Sequence, residues 1–250
     1  MTRAQLEAAI DAFGRPTTDY SGGLRSVLAA SRLQSEWDVA HPQEAAQRRA
    51  LVASLEALVA AEEADRRQLE RQVAIHRAVI AGGFGERDVD AARQHGPLSQ
   101  AREWWSGRRT WLALLGGKGI GKTTSAAWCA LQALDAGQSV RYRRMGEIAR
   151  LSSFDEGRVE LDRLKRVGLL VVDDVGTEKW TEYAMGLVFD LFDTRHSNRR
   201  RTIIATNLPR TAERPGDDSL AKRLGDRLAD RVRSDGSIVE LQGKSLRGVA

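Results

Sequence analysis

The chain has 250 residues, 42% of them apolar, with a formal net charge of +5. That supplies a core for one or two globular domains, and no apolar run reaches bilayer-spanning length. Its single cysteine, Cys129, excludes internal disulfides and any zinc site built on a cysteine cluster.

The first residues, Met1-Thr2-Arg3-Ala4-Gln5, lead into Glu7 and Asp11 rather than an apolar signal core, which predicts a cytoplasmic chain. Residues 2–13 predict a short amphipathic helix through Leu6, Ala9, Ile10 and Phe13, broken by Gly14 and Pro16. A second short helix is expected over 24–34. Pro42 then opens a long helical stretch to about Ile80, ended by Gly82-Gly83; unbroken, it would measure roughly 58 Å. Its apolar seam (Val52, Leu55, Val59, Leu69, Val73, Ile80) is interrupted by Glu62, Asp65 and Arg66. A broken seam favours a helical hairpin or a partner-facing helix over a long dimeric coiled coil. A plain bundle with a solvated charged face fits as well. Gly82-Gly83-Phe84-Gly85 is the predicted linker, dividing a helical partner-binding domain at 1–85 from a second domain at 86–250. Residues 1–100 carry 12 basic and 14 acidic side chains, residues 101–250 carry 27 and 20, so the second domain is the basic one.

Residues 88–106 predict a helix, with Trp104-Trp105 packing beneath the following strand or beside a base. Trp111–Leu115 is an apolar run of strand length, and Ser125–Leu134 is rich in small and apolar helix formers. Between them stand Gly116, Gly117, Lys118, Gly119, Ile120, Gly121, Lys122, Thr123 and Thr124, a G-x-x-x-x-G-K-T pattern in a strand–turn–helix setting. Glycines let the turn fold with its N–H groups inward, and the helix N-terminus adds to that anion nest. Lys122 is then the point charge for the β- and γ-phosphates of ATP, and the Thr123 hydroxyl a ligand for Mg2+. Cys129, on the apolar helix that follows, reads as a packing residue.

Beyond this loop, strand-like segments at 139–142, 168–172, 201–205 and 237–241 alternate with helical ones at 145–151, 159–165, 181–194 and 219–233. The alternation predicts an α/β fold, a mostly parallel sheet with helices on both faces. Ligands gather at the carboxyl ends of such strands. Leu169–Val172 ends in Asp173 and Asp174: the first suits Mg2+, the second a water-activating base, although Asp is shorter than the Glu common at that place. Arg201–Ala205 ends in Thr206-Asn207, and the Asn207 amide is placed to read the γ-phosphate or the water. Arg227 and Arg231, four apart on a helix, are candidates for an arginine finger presented to a neighbouring subunit; local ion pairing is the alternative. Arg247 is a candidate for the γ-phosphate of its own subunit, or part of a frayed tail. The basic stretch Arg141-Tyr142-Arg143-Arg144 fits DNA phosphate contact and a solvated strand end equally.

Taken together, the 116–123 loop, Leu170-Val171-Val172-Asp173-Asp174-Val175-Gly176, Thr202–Asn207, Gly225-Asp226-Arg227 and Ser245-Leu246-Arg247 resemble the DnaC/DnaI-type helicase loaders, related to the transposition helper IstB and the initiator DnaA. The resemblance covers roughly residues 95–250. It implies a P-loop AAA+ ATPase fold with a five-stranded parallel sheet in the order 5-1-4-3-2 and a minimal or absent helical lid. It implies ATP-dependent self-association into an oligomer, single-stranded DNA binding, and an N-terminal domain that grips a DnaB-type replicative helicase. The expected function is ATP-dependent loading of that helicase onto single-stranded DNA, with slow, assembly-dependent hydrolysis to ADP and phosphate. An IstB-like helper of a DNA transposase and an ATP-gated adaptor with negligible turnover are the alternatives. Some relatives carry a cysteine-cluster zinc module in the N-terminal third; here Cys129 stands alone and His41, His76, His95 and His196 are scattered, so the partner of that third stays open.

Overall fold

Five strands pair edge to edge into one parallel sheet in the computed structural model. The structure describes residues 4–5, 7–8, 38–151, 155–176, 181–212, 214 and 217–241, without the side chains of Asp155, Asp226, Arg227 and Asp235. The predicted helix at 24–34 and most of that at 2–13 lie outside the described residues. Two compact units are formed, residues 1–72 and 73–250.

The long helix α1 (Pro42–Ala81) is one continuous element of 40 residues, about 60 Å long. The hairpin expected from the broken seam is therefore absent from α1. Glu63 and Arg67 pair at 3.0 Å, Arg66 and Glu70 at 3.9 Å, and these i,i+4 contacts carry the helix through its charged middle. Among the described residues no helix is long and apolar enough to cross a membrane.

In the second unit, the helix expected over 88–106 is two: α2 (Glu86–His95) and α3 (Ser99–Ser106). Gly96 takes φ 70° and Pro97 follows, so the backbone turns where the periodicity alone continued. Then come β1 (Trp111–Gly116), α4 (Lys122–Asp135), β2 (Val140–Arg144), α5 (Met145–Ile148), α6 (Asp155–Arg166), β3 (Leu169–Val175), α7 (Glu182–Ser197), β4 (Arg201–Thr206), α8 (Leu220–Asp235) and β5 (Gly236–Leu241). Thr181 and Ser219 cap α7 and α8, their side-chain oxygens accepting from the N–H of Ala184 at 3.1 Å and of Lys222 at 3.2 Å.

The strands lie in the order β2-β3-β4-β1-β5, the 5-1-4-3-2 order read from its other edge, and every pair is parallel. Alternate residues of one strand feed opposite cores. Trp111, Ala113 and Leu115 of β1 join Leu170, Val172, Ile204, Leu191 and Phe192 on one face. Leu112 and Leu114 join Leu169, Val171, Ile203 and the small residues Ala126, Ala127, Cys129 and Ala130 of α4 on the other. Burial on both faces explains why these strands read as unbroken apolar runs.

Trp104 is buried in the α4-side core, and the Arg201 guanidinium lies over Trp104 and Trp105 at 5.2 and 4.3 Å from their ring centroids. Packing accounts for this pair of tryptophans. Residues 82–85, read as a linker, close against the sheet instead: Phe84 is buried, and the N–H of Tyr142 donates to Gly82 O at 2.8 Å.

Candidate nucleotide-binding site

The loop between β1 and α4 is shaped by backbone geometry that only glycine adopts freely. Gly116, Gly119 and Gly121 have φ of 143°, 78° and 94°. An added Cβ at Gly116 would sit 2.6 Å from Leu241 O, whereas Gly117 has no neighbour within 4 Å of such an atom. The loop is thus packed below and open above. Lys118 is exposed there, Ile120 anchors the turn in the core, and Thr124 is half-buried. Lys122 opens α4, so the first-turn N–H groups face the loop without helical acceptors.

Lys122 is 8% exposed, and its Nζ donates to Gly116 O and Gly117 O, each at 2.7 Å, and to Asn207 Oδ1 at 3.0 Å. One ammonium thereby joins the end of β1 to the end of β4. Those acceptors are neutral oxygens of the kind a phosphate would displace to better effect.

Asp173 is 5% exposed and fully engaged. Its Oδ2 accepts from Thr123 Oγ1 at 2.8 Å and from the Tyr142 hydroxyl at 3.0 Å; its Oδ1 accepts from the N–H of Asp174 at 2.8 Å. A hydroxyl and a carboxylate side by side at the mouth of an anion nest form the hard-oxygen donor set that Mg2+ takes. ATP and Mg2+ fit these residues: Gly116–Thr124 for the phosphates, Thr123 and Asp173 for the metal. Burial, then the neighbouring Asp173 charge, pushes the Tyr142 phenol well above its ordinary value, so its hydroxyl remains a donor.

Asp174 owes its position to a bulge. The β3–β4 pairing runs to Val172 opposite Ile204 and resumes at Val175 opposite Thr206, leaving Asp173 and Asp174 across from one residue. Asp174 accordingly takes φ 55°, a left-handed conformation that Asp tolerates better than most. Its Oδ2 lies 3.8 Å from Arg144 Nε. Arg143 pairs with Glu160 at 2.5 Å. The residues read together as a basic DNA stretch are thus divided: Tyr142 and Arg144 belong to the acidic pair, Arg143 to a neighbouring helix.

Arg231 is ion-paired with Asp193 of α7. Gly225 breaks α8, with φ 72° and ψ 159°, ahead of Arg227, whose side chain lies outside what the structure describes. Arg247 and the Ser245-Leu246-Arg247 end lie outside the described residues. Among the described residues no group of His, Cys, Asp and Glu could by itself hold a metal ion. Tyr142 and Arg144 were the site residues that motif reading passed over. The available signal was topological, since the parallel register sets Arg144 opposite Asp173.

The pattern of the IstB-like ATP binding protein family matches residues 26–249. The chain belongs to that family. Among curated relatives, the insertion sequence ATP-binding protein y4pL of Sinorhizobium fredii is 32% identical over 142 residues, 54% of this chain and 56% of that protein. The replicative helicase loader DnaC of Escherichia coli is 28% identical over 165 residues, 62% of this chain and 64% of the loader. The chain therefore spans under two thirds of either relative. Among solved structures, DnaI superposes with a TM-score of 0.53 at 19% identity, covering 65% of this chain and 94% of that one. The DnaC helicase loader gives 0.51 at 22%, covering 63% and 100%. These two establish the AAA+ P-loop fold for this member of the IstB-like family.

Proposed function

We propose that the protein is an ATPase that assembles with copies of itself and loads a replicative, DnaB-type helicase onto single-stranded DNA. The observation that carries the enzymatic part is the convergence of Lys122, Thr123, Asp173 and Asn207 at one end of the sheet, within hydrogen-bonding distance of one another in pairs. Bound Mg2+-ATP would supply a polarised γ-phosphoryl group. Lys122 would exchange its carbonyl contacts for phosphate oxygens while keeping Asn207 beside the terminal phosphate. Thr123 and Asp173 would hold the metal. Asp174, at the bulge, would take the proton of the attacking water, and Arg144 is close enough to restrain it until then. Arg231 is occupied by Asp193, which supports Arg227 as the residue offered to a neighbouring subunit. Residues 1–85 would select the helicase, and residues 86–250 would bind and hydrolyse ATP. Turnover should rise with protein concentration and lose that dependence in Arg227→Ala; equal rates at all concentrations would remove the trans-acting arginine.

The likeness to DnaC supports the helicase reading. A second reading, delivery of a transposase to DNA, is supported by the family match and by the name of the Sinorhizobium relative. The two separate in one experiment. Co-elution with a replicative helicase and faster loading of it onto closed circular single strands would support the first. ATP-dependent filaments on duplex DNA without helicase binding would support the second. An ATP-gated adaptor predicts negligible turnover in both settings.

A further inference from the structure

Asp173 is held by three hydrogen bonds of different origin. One comes from the phosphate-loop helix through Thr123, and one from its own chain through the N–H of Asp174. The third comes from Tyr142, on the edge strand β2. Tyr142 is also the residue of β2 most closely tied to the corner where α1 ends. Its N–H donates to Gly82 O at 2.8 Å, and its ring meets Phe84 at 4.6 Å between centroids, inclined at 43°. Gly83 fits there because it lacks a side chain: at φ 114°, an added Cβ would stand 2.6 Å from Tyr142 O. The corner itself is closed by the N–H of Gly82 to Ala78 O and of Gly83 to Ile80 O, each at 2.9 Å. One rigid side chain thus touches the corner with its backbone and ring, and the buried carboxylate with its hydroxyl.

We propose that Tyr142 is a positioning residue that couples the metal-facing carboxylate of Asp173 to the Gly82–Phe84 corner at the end of α1. Metal binding between Thr123 and Asp173 fixes the carboxylate, the carboxylate fixes the Tyr142 hydroxyl, and the ring then clamps the corner against the edge of β2. In the other direction, a partner that strains the corner loosens one of the three bonds orienting Asp173 and weakens the metal. The regulation rests on the nucleotide-site reading above. A partner bound to α1 would thereby set the ATPase by way of the corner and Tyr142, acting on the carboxylate of Asp173.

The test uses the full chain with a non-hydrolysable ATP analogue, titrated with Mg2+. Two quantities are read: the Mg2+ concentration at half-saturation, from nucleotide affinity, and amide exchange of the peptide containing Tyr142, whose N–H bonds Gly82. In the unmodified protein, Mg2+ should slow that exchange about tenfold. Tyr142→Phe keeps the ring and the corner contact but removes the hydroxyl. It should still bind the analogue, need about tenfold more Mg2+, as outer-sphere partners of metal ligands typically do when removed, and lose the Mg2+-dependent slowing. Phe84→Leu, remote from the metal, should raise the Mg2+ requirement in the same direction. Unchanged Mg2+ half-saturation and exchange in Tyr142→Phe would overturn the coupling alone. An unchanged Mg2+ requirement in Phe84→Leu would remove the corner from it. Failure of the unmodified protein to bind the analogue would overturn the underlying site reading and the coupling with it.

Discussion

Two buried cations sit at opposite ends of the same parallel sheet. Lys122 lies where β1 and β4 end, its Nζ resting on Gly116 O, Gly117 O and Asn207 Oδ1. Arg195 lies where β3 and β4 begin, its guanidinium donating to Leu164 O, Val167 O, Arg201 O and Thr202 Oγ1. Both meet neutral oxygens, yet they differ in what surrounds those oxygens. The acceptors of Lys122 belong to a glycine loop with open space above Gly117. Those of Arg195 are enclosed, the residue is 0% exposed, and burial, then Arg200, pushes its guanidinium down to about 9. A buried charge with exchangeable partners is a binding device; one with enclosed partners is a fastening for the segments it ties together.

The contrast can be broken first at the Arg195 end. Arg195→Met removes the donor from four enclosed acceptors, each worth about 1 kcal/mol when left unpaired. It should lower unfolding free energy by about 4 kcal/mol in urea titration while leaving nucleotide affinity of the folded fraction near its original value. At the other end, Lys122→Ala should leave stability within about 1 kcal/mol and reduce ATP affinity about 100-fold, the loss of charge-assisted bonds to phosphate; calorimetric titration reads it. Asp174→Asn keeps the shape of the bulge and removes the basic oxygen, so turnover should fall about tenfold or more with binding retained, by steady-state phosphate release.

The smallest expected effect concerns a third buried group on α4, Cys129. Burial raises its thiol from 9.0 to about 12. A raised acid contributes stability that is complete below pH 9 and lost as pH climbs from 9 toward 12, because the unfolded chain releases the proton first. Between pH 9 and pH 10 the unfolding free energy of the unmodified protein should therefore decline more steeply than that of Cys129→Ala, by no more than about 1.4 kcal/mol. Identical slopes would mean that the thiol is not confined.

Much of this was legible in the residue order. The 116–124 loop, the acid-ended run at 169–174 and Thr206-Asn207 each announce a strand end, and a parallel sheet brings strand ends together. Periodicity alone does not say which strands are neighbours, and so Arg141–Arg144 fits DNA phosphate contact and a solvated strand end equally. Once β2 lies beside β3, Tyr142 and Arg144 fall within reach of Asp173 and Asp174. The Gly82–Gly85 corner is ambiguous in sequence for a related reason. Glycines mark flexible linkers and close backbone contacts alike, and only the contact with Tyr142 separates the two. The break between α2 and α3 lies at Gly96-Pro97, where local backbone chemistry outweighs apolar periodicity.

The decisive measurement is the position of a divalent metal. Crystals grown with Mn2+ and a non-hydrolysable ATP analogue should show the anomalous peak between Thr123 Oγ1 and Asp173, with the triphosphate wrapped by 116–124 and Asn207 facing its last phosphate. A nucleotide lodged elsewhere, or a metal peak remote from both Thr123 and Asp173, would contradict it.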